Sequence, residues 1–312
     1  MCISIENYSG MKFKNNRVLC FGEMLWDRFP GQSKPGGAPM NVALNLRKMG
    51  LKPWFASRIG NDDAGKALLD FVKSQNLSTG LIQRGKTLPT GEVEVTLDSG
   101  GNASYRIVEP VAWDNIAYTQ KLALRAENAG ILVFGSLAAR RPITFQTLLR
   151  VLNTAAFRIM DVNLRPPYDK PKLVQQLLSK SDFVKVNLDE LNIIAGWHKI
   201  IWLNEEEICR KLTSHYGLSG ICVTRGDKGA AMLWGDRWYQ NPGIKVEVAD
   251  TVGAGDAFLA ALIYGMIMKH TPVAMLEFAS AAGAFVASQK GATPPYTLSD
   301  LEDFATFALH KK

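Results

Sequence analysis

The chain has 312 residues, 47% hydrophobic and 21% charged, with 27 glycines against 14 prolines; that composition excludes collagen-like, disordered and low-complexity classes and leaves a soluble globular protein with a sizeable core. The formal charge is +7, but the basic residues are scattered singly or in pairs such as Arg140-Arg141, so a mildly basic surface or an anionic small substrate is expected and no nucleic acid. Four cysteines without a C-x-x-C pair and four histidines without ligand spacing speak against a zinc site or a disulfide framework.

In chain order, Met1 to Gly10 precede a second methionine, carry no pattern, and are expected to form a disordered extension. Val18 to Gly22 predicts a buried strand and is too short for a signal-peptide core. Arg28 to Pro35, interrupted by Pro30 and Gly31, predicts a further strand or turn of a small lobe. Gly36-Gly37-Ala38-Pro39-Met40-Asn41 then opens an amphipathic segment, Asn41 to Met49. A strand over Trp54 to Ile59 and a helix over Ala64 to Asn76 follow. Between them Gly60-Asn61-Asp62-Asp63-Ala64-Gly65-Lys66 nearly matches a Walker A loop. It is rejected, because Ala67 stands where Ser or Thr should hold Mg²⁺ and two carboxylates would face the phosphates.

Glu92 to Val108 departs from this rhythm. Val93, Val95 and Leu97, then Tyr105 and Ile107, alternate around Asp98-Ser99-Gly100-Gly101-Asn102, which predicts a β-hairpin. Beyond it, strands over Ile131 to Phe134, Phe157 to Asp161, Phe183 to Val186 and Ile221 to Thr224 alternate with helices over Ile143 to Leu152, Lys172 to Ser179 and Glu205 to Tyr216. The apolar stretch Ala257 to Met268 falls short of the roughly 20 residues a bilayer span needs, so a cytoplasmic protein without membrane association is expected. The fold class is α/β: a mainly parallel central sheet with helices on both faces, plus a small β-sheet lid from roughly 28–35 and 90–113. One domain over residues 1–312 is expected, since no Ser/Gly linker divides the chain.

In sheets of this kind ligands collect outside the carboxyl ends of the strands, and the informative motifs fall there. Asp250-Thr251-Val252-Gly253-Ala254-Gly255-Asp256 leads into an apolar helix. Its glycines allow close backbone approach, and the free N–H groups with the helix dipole attract an anion. Asp256 either accepts the proton of an attacking hydroxyl or simply favours the first helical turn. Asp27 and Asn41 around Gly36 and Gly37 suit the hydroxyls of a polyol, or a tight turn satisfied locally. In Asp161-Val162-Asn163-Leu164-Arg165-Pro166-Pro167, alternation sends Asp161, Asn163 and Arg165 to one side. The Arg165 guanidinium then faces a phosphate, or pairs with Asp161. Asn187 and Glu190 present two ligands to a hydrated Mg²⁺, or form a capping box. Thr224-Arg225-Gly226-Asp227-Lys228-Gly229 is a hairpin turn that also suits a nucleotide's phosphate and ribose.

Taken in order, these motifs resemble the ribokinase-like (PfkB-type) carbohydrate kinase family from about Val18 to the last helix. The Gly36 to Asn41 run looks like the family's N-terminal signature, and Asp250-Thr251 through Gly253-Ala254-Gly255-Asp256 like its C-terminal one. The resemblance implies ATP-dependent phosphorylation of a primary hydroxyl of a free sugar, with Asp256 as base and the Gly253, Ala254 and Gly255 amides as anion hole. Asp27, Gly36, Gly37 and Asn41 would hold the sugar, and Arg165 would reach both sugar and transferred phosphoryl. Asn187 and Glu190 would lie near ATP and Mg²⁺, Glu190 through water, with Thr224, Gly226 and Gly229 near the nucleotide. Asp250, the carbonyl of Val252 and Gly291 would hold K⁺.

Within the family the likeness is to bacterial fructokinases. It rests on Gly22-Glu23-Met24-Leu25-Trp26-Asp27, Pro89-Thr90-Gly91, Tyr105, Val111-Ala112-Trp113-Asp114 and Asn163-Leu164-Arg165-Pro166-Pro167. Fructose to fructose 6-phosphate is the expected reaction; the alternatives are a kinase of ribose or 2-keto-3-deoxygluconate, or a non-catalytic sugar-binding homologue. Arg106 in the lid hairpin either contacts the sugar or sits on the exposed face. A homodimer through the β lid is expected, because the lid's edges ask to be covered.

Overall fold

The structure, a computed structural model, describes residues 13–97, 103–200 and 202–310. The expected N-terminal extension and the hairpin turn at 98–102 lie outside the described residues.

The first half of the chain runs β1 (Val18–Phe21), β2 (Leu25–Phe29), β3 (Gln32–Gly36), α1 (Ala38–Lys48), β4 (Trp54–Gly60), α2 (Asp63–Ser74), β5 (Ser78–Gly85), β6 (Gly91–Leu97), β7 (Ala103–Ile107), α3 (Gln120–Asn128) and β8 (Ile131–Gly135). The second half runs α4 (Pro142–Leu152), β9 (Arg158–Asp161), α5 (Pro171–Leu178), β10 (Phe183–Asn187), α6 (Leu188–Trp197), α7 (Glu205–Tyr216), β11 (Gly220–Thr224), β12 (Ala230–Trp234), β13 (Arg237–Asn241), α8 (Ala254–Ile267), α9 (Pro272–Ala287) and α10 (Leu298–His310).

Nine strands form one sheet in the order β13-β12-β11-β10-β9-β8-β1-β4-β5. It is parallel from β5 through β11, and β12 and β13 extend it antiparallel. Period-2 geometry divides the buried strands between two cores. Val18 and Cys20 of β1, with Ile131 and Val133 of β8, enter the layer that holds α1, α8 and α9. Leu19 and Phe21, with Leu132 and Phe134, enter the layer that holds α4 to α7. Strands buried on both faces need near-continuous apolar runs, which is why β1, β8 and β10 were visible in the sequence. The edge strands β5 and β13 bury only alternate or terminal positions, and no apolar run marks them. Helix α1 begins at Ala38, three residues before the predicted start, because Pro39 lies in its first turn, where a missing N–H costs nothing.

The lid is a separate four-stranded sheet in the order β3-β2-β6-β7. The segment predicted to add one strand or turn adds the whole β2–β3 hairpin. Register fixes its faces. Asp27 pairs with Lys34 on one side and Val93 on the other, and Val93 with Ile107. These side chains share one face with the small apolar cluster of Leu25, Val93 and Val95. Arg106 pairs with Glu94 and points to the opposite face. The indole N–H of Trp26 donates to the Ala64 carbonyl (2.9 Å), tying the lid to α2. Asp62 caps α2 through the Gly65 amide and also accepts from the Thr90 amide at the approach to β6. The rejected phosphate-loop motif is thus a helix cap joined to the lid. Among the described residues no helix is long and apolar enough to cross a membrane.

Candidate active site

Helix α8 buries Ala257 to Ile267 on every side, so its amino end is held rigidly at the carboxyl edge of the sheet. Gly253 caps it with φ +81°, and a Cβ there would run into the Ala292 carbonyl, so a side chain is excluded by conformation and by space alike. The Ala254 N–H closes a turn on the Thr251 carbonyl (3.3 Å); the first-turn amides of a helix have no intrahelical carbonyl to bond.

Asp256 sits in that first turn and is half-buried. The amide nitrogen of Asn41, on the neighbouring α1, donates to its Oδ2 at 2.8 Å. Burial and the nearby Asp161 carboxylate raise the Asp256 pKa to about 7, opposed by the Asn41 hydrogen bond and the charges of Lys185 and Arg165. The two glycine-rich motifs therefore meet: residues 215 positions apart in sequence share one hydrogen bond. The side-chain Oδ1 of Asn41 is buried without a partner among the described residues.

Lys185 is a site residue that the sequence reading passed over. It lies inside β10, 7% exposed, and its Nζ donates to Asp161 Oδ1 at 3.0 Å. Burial alone would lower its pKa, but Asp161 and Glu190 outweigh that and hold the ammonium charged. A side chain at Gly255 would begin 3.2 Å from Nζ, so this cation lies directly under the glycine loop. The signal was present: a lone Lys in Phe183-Val184-Lys185-Val186 is a buried charge that demands a partner.

That pairing also revises the Asp161 to Arg165 run. Asp161 goes to Lys185 and not to Arg165, and Asn163 takes φ +42°, which breaks the alternation assumed for three residues. Arg165 is exposed, with Nη1 donating to the Leu164 carbonyl (2.9 Å). Its charge acts on three carboxylates at once, Glu23, Asp27 and Asp256. Asp27 lies against Gly36 on the lid's inner face, and burial raises its pKa to about 6 against the pull of Arg165 and Lys34. Glu23, just past β1, is buried with Oε2 unpartnered, and burial raises it to about 6 as well.

Asn187 and Glu190 form the capping box. Asn187 Oδ1 accepts from the Glu190 amide (2.8 Å), and Glu190 Oε2 accepts from the Asn187 amide (2.9 Å). Glu190 Oε1 also accepts from the Leu164 amide (2.8 Å), so one buried carboxylate staples α6 to the loop after β9. Among the described residues no group of three or more His, Cys, Asp or Glu could hold a metal ion. A carboxylate has about four lone-pair sites, so Glu190 still fits contact with a water of a Mg²⁺ that is carried mainly by phosphates.

Thr224 is the register partner of Asn187, which sets the β11–β12 turn beside the capping box. Gly226 and Gly229 take φ +60° and +83° there, and Arg225 locks the turn to Glu205 (2.9 Å).

Asp250, Val252 and Gly291 do come together. Asp250 Oδ1 accepts from the Val252 amide (3.0 Å), and Oδ2 accepts from the Gly291 amide (3.1 Å) and from Lys34 Nζ (3.2 Å). Burial pushes Asp250 up, but these three donors hold it below its ordinary value. The lid ammonium of Lys34 places a positive charge beside the carboxylate for which a monovalent cation is expected.

Arg106 is not brought to the site. Its guanidinium donates to Glu94 (2.6 Å) with the side chain 73% exposed, and register turns it away from Asp27. Within the lid, the cation on Asp27's face is Lys34.

A carboxylate in the first turn of a glycine-capped helix, within the electrostatic reach of a guanidinium and beside a lid sheet, suits the transfer of a phosphoryl group onto a small polar acceptor. Comparison with known proteins narrows the class. The family model described as pfkB family carbohydrate kinase matches residues 18–298. Fructokinase-2 of Zea mays is 28% identical over 309 residues, spanning 90% of this chain and 91% of that one. A fructokinase from Xylella fastidiosa with bound ATP superposes with a TM-score of 0.81 at 25% identity, covering 94% of this chain and 99% of that one. An uncharacterized sugar kinase from Pyrococcus horikoshii gives 0.79, again at 25% identity and covering 94% and 99%. The chain belongs to the pfkB family of carbohydrate kinases and is an ATP-dependent sugar kinase.

Proposed function

We propose that the protein transfers the γ-phosphoryl group of ATP to a primary hydroxyl of free fructose, giving fructose 6-phosphate. The observation that carries this reading is Asp256: a carboxylate raised to about 7 at the mouth of a glycine-capped helix, where its task is to take a proton near neutral pH. The sugar lies between Asp27 on the lid and Asn41 on α1, with its acceptor hydroxyl toward Asp256 Oδ1. Asp256 removes the hydroxyl proton as the bond to phosphorus forms and the bond to ADP breaks. The Gly253 to Gly255 backbone, Arg165 and the helix dipole stabilise charge on the equatorial oxygens. Mg²⁺ bound with the nucleotide would supply charge neutralisation at the phosphates, with Asn187 and Glu190 (through water) as the residues that would hold it; Thr224, Gly226 and Gly229 would hold the nucleotide. Fructose is favoured because the plant relative and the bacterial structural relative both carry the name fructokinase.

The whole chain acts as one domain with its lid. We further propose a homodimer, since β3 and β7 leave two free edges on the lid sheet that a second copy would cover; a monomer by light scattering at micromolar concentration removes that idea. The activity is tested by coupled ATP turnover on fructose, ribose and 2-keto-3-deoxygluconate, with Asp256→Asn as control. Turnover on fructose that the variant loses supports the reading, turnover confined to another sugar discards fructose, and turnover unchanged in the variant discards the base.

A further inference from the structure

The loops described so far occupy the carboxyl edge of the sheet. At the opposite edge, where β1, β4 and β5 begin, lies an open cleft of about 300 Å³ lined by Arg17, Arg47, Lys52, Trp54 and Asn76 among others, with no carboxylate in its wall among the described residues. Trp54 organises it. The guanidinium carbons of Arg17 and Arg125 lie 5.3 and 4.7 Å from the centre of its ring system, so one indole holds two cations in place. Arg47 is fixed by its Nε, which donates to the Asn76 carbonyl at 3.0 Å.

None of Arg17, Arg47, Lys52 and Arg125 takes part in an ion pair among the described residues, whereas Arg140, Arg158 and Arg225 each have a carboxylate partner. The last-turn positions of Arg47 in α1 and Arg125 in α3 suit the helix dipoles. That does not account for Arg17 and Lys52, which stand on the connections into β1 and β4 and converge on the same cleft.

The geometry points to a second ligand site, which binds a small polyanion bearing at least two phosphate groups. Its position separates it from the catalytic loops by the length of β4, about 20 Å for seven residues at about 3.3 Å each. A cleft of this size admits a small molecule. The two guanidiniums already over Trp54 leave charge, and not base stacking, as the basis of recognition. An inorganic polyphosphate or a bisphosphorylated metabolite fits this chemistry.

The test titrates inorganic pyrophosphate into the full chain by calorimetry, without Mg²⁺, first alone and then with fructose and a non-hydrolysable ATP analogue present. One saturable site per chain is expected, weakening as salt is raised. Arg17→Ala combined with Lys52→Ala should weaken it at least 10-fold while the melting temperature stays within a degree or two of the parent. Arg125→Ala, which removes a cation outside the lining, should weaken it less. Absence of saturable binding at low salt overturns the proposal, as does unchanged affinity in the double variant. Binding lost when the ATP analogue is present, and kept in the double variant, assigns the pyrophosphate to the catalytic site and overturns it too. The double variant reports on this cleft alone, so the result stands whether or not fructose is the substrate.

Discussion

Replacing Asn41 by Leu should move the acid limb of the rate profile. The amide of Asn41 donates 2.8 Å to Asp256 Oδ2, a bond that favours the ionised carboxylate. Hydrogen bonds to charged groups contribute about 1.5–3 kcal/mol, and a pKa unit corresponds to about 1.4 kcal/mol. Loss of this donor should therefore raise Asp256 from about 7 by about 1–2 units. At pH 7 the ionised fraction falls from about half to between roughly one tenth and one hundredth, so kcat should drop about 5- to 50-fold. Most of the loss should return by pH 9 to 10. Leu matches Asn in size and removes an acceptor that is buried without a partner, so the fold should tolerate it. The assay is coupled ATP turnover with saturating sugar from pH 5.5 to 10, comparing parent and variant. A rate reduced equally at every pH, with the acid limb where it was, would refute the link and leave Asn41 as a sugar contact only.

Asp256→Asn should raise thermal stability at pH 8. The folded-state pKa lies above the unfolded one, so the parent loses stability as pH rises from about 4 through 7, while the variant has no carboxylate to ionise there. The two melting temperatures should converge near pH 4, and a constant gap across that range would contradict the raised pKa. Arg140 is 1% exposed and paired with Asp114 at 2.7 Å; Arg140→Ala should cost about 3–5 kcal/mol in urea unfolding because it strands a buried carboxylate. Arg106→Ala, at an exposed pair, should cost less than about 1 kcal/mol, and a loss as large as that of Arg140 would show that it is buried against something. Turnover should not require K⁺ in the parent, whereas Lys34→Met, which leaves Asp250 without its ammonium, should become K⁺-stimulated. Strong K⁺ dependence in the parent would overturn that account of Lys34.

The central strands were legible because burial on both faces demands unbroken apolar runs. The lid hairpin was legible because β6 buries alternate residues, Val93 and Val95. Edge strands β5 and β13 carry neither signature. At the site, the motifs announced that Gly253, Asp256, Gly37 and Asn41 share the chemistry of close backbone approach, but no spacing announces a hydrogen bond between residues 41 and 256. Arg165 and Asp161 were assigned to one side by strand alternation, which holds only while φ stays extended, and Asn163 ends it. Arg106 depended on which face a paired residue takes, and that is set by register with Glu94. Lys185 was readable from one charge in an apolar strand. Only its partner needed the fold.

The Lys34 to Asp250 contact bears on the order in which substrates become useful. Lys34 belongs to the same strand pair as Asp27, and Asp250 belongs to the loop that leads into the glycine-capped helix. A lid lifted away from the sheet would take with it both Asp27, the carboxylate proposed to hold the sugar, and the cation that pairs with this loop. Nucleotide bound under such an open lid would face the Asp250 loop without its lysine partner. On the proposed function, the Lys34 to Asp250 contact would make the order of the glycine loop, and with it the use of ATP, depend on where the lid stands.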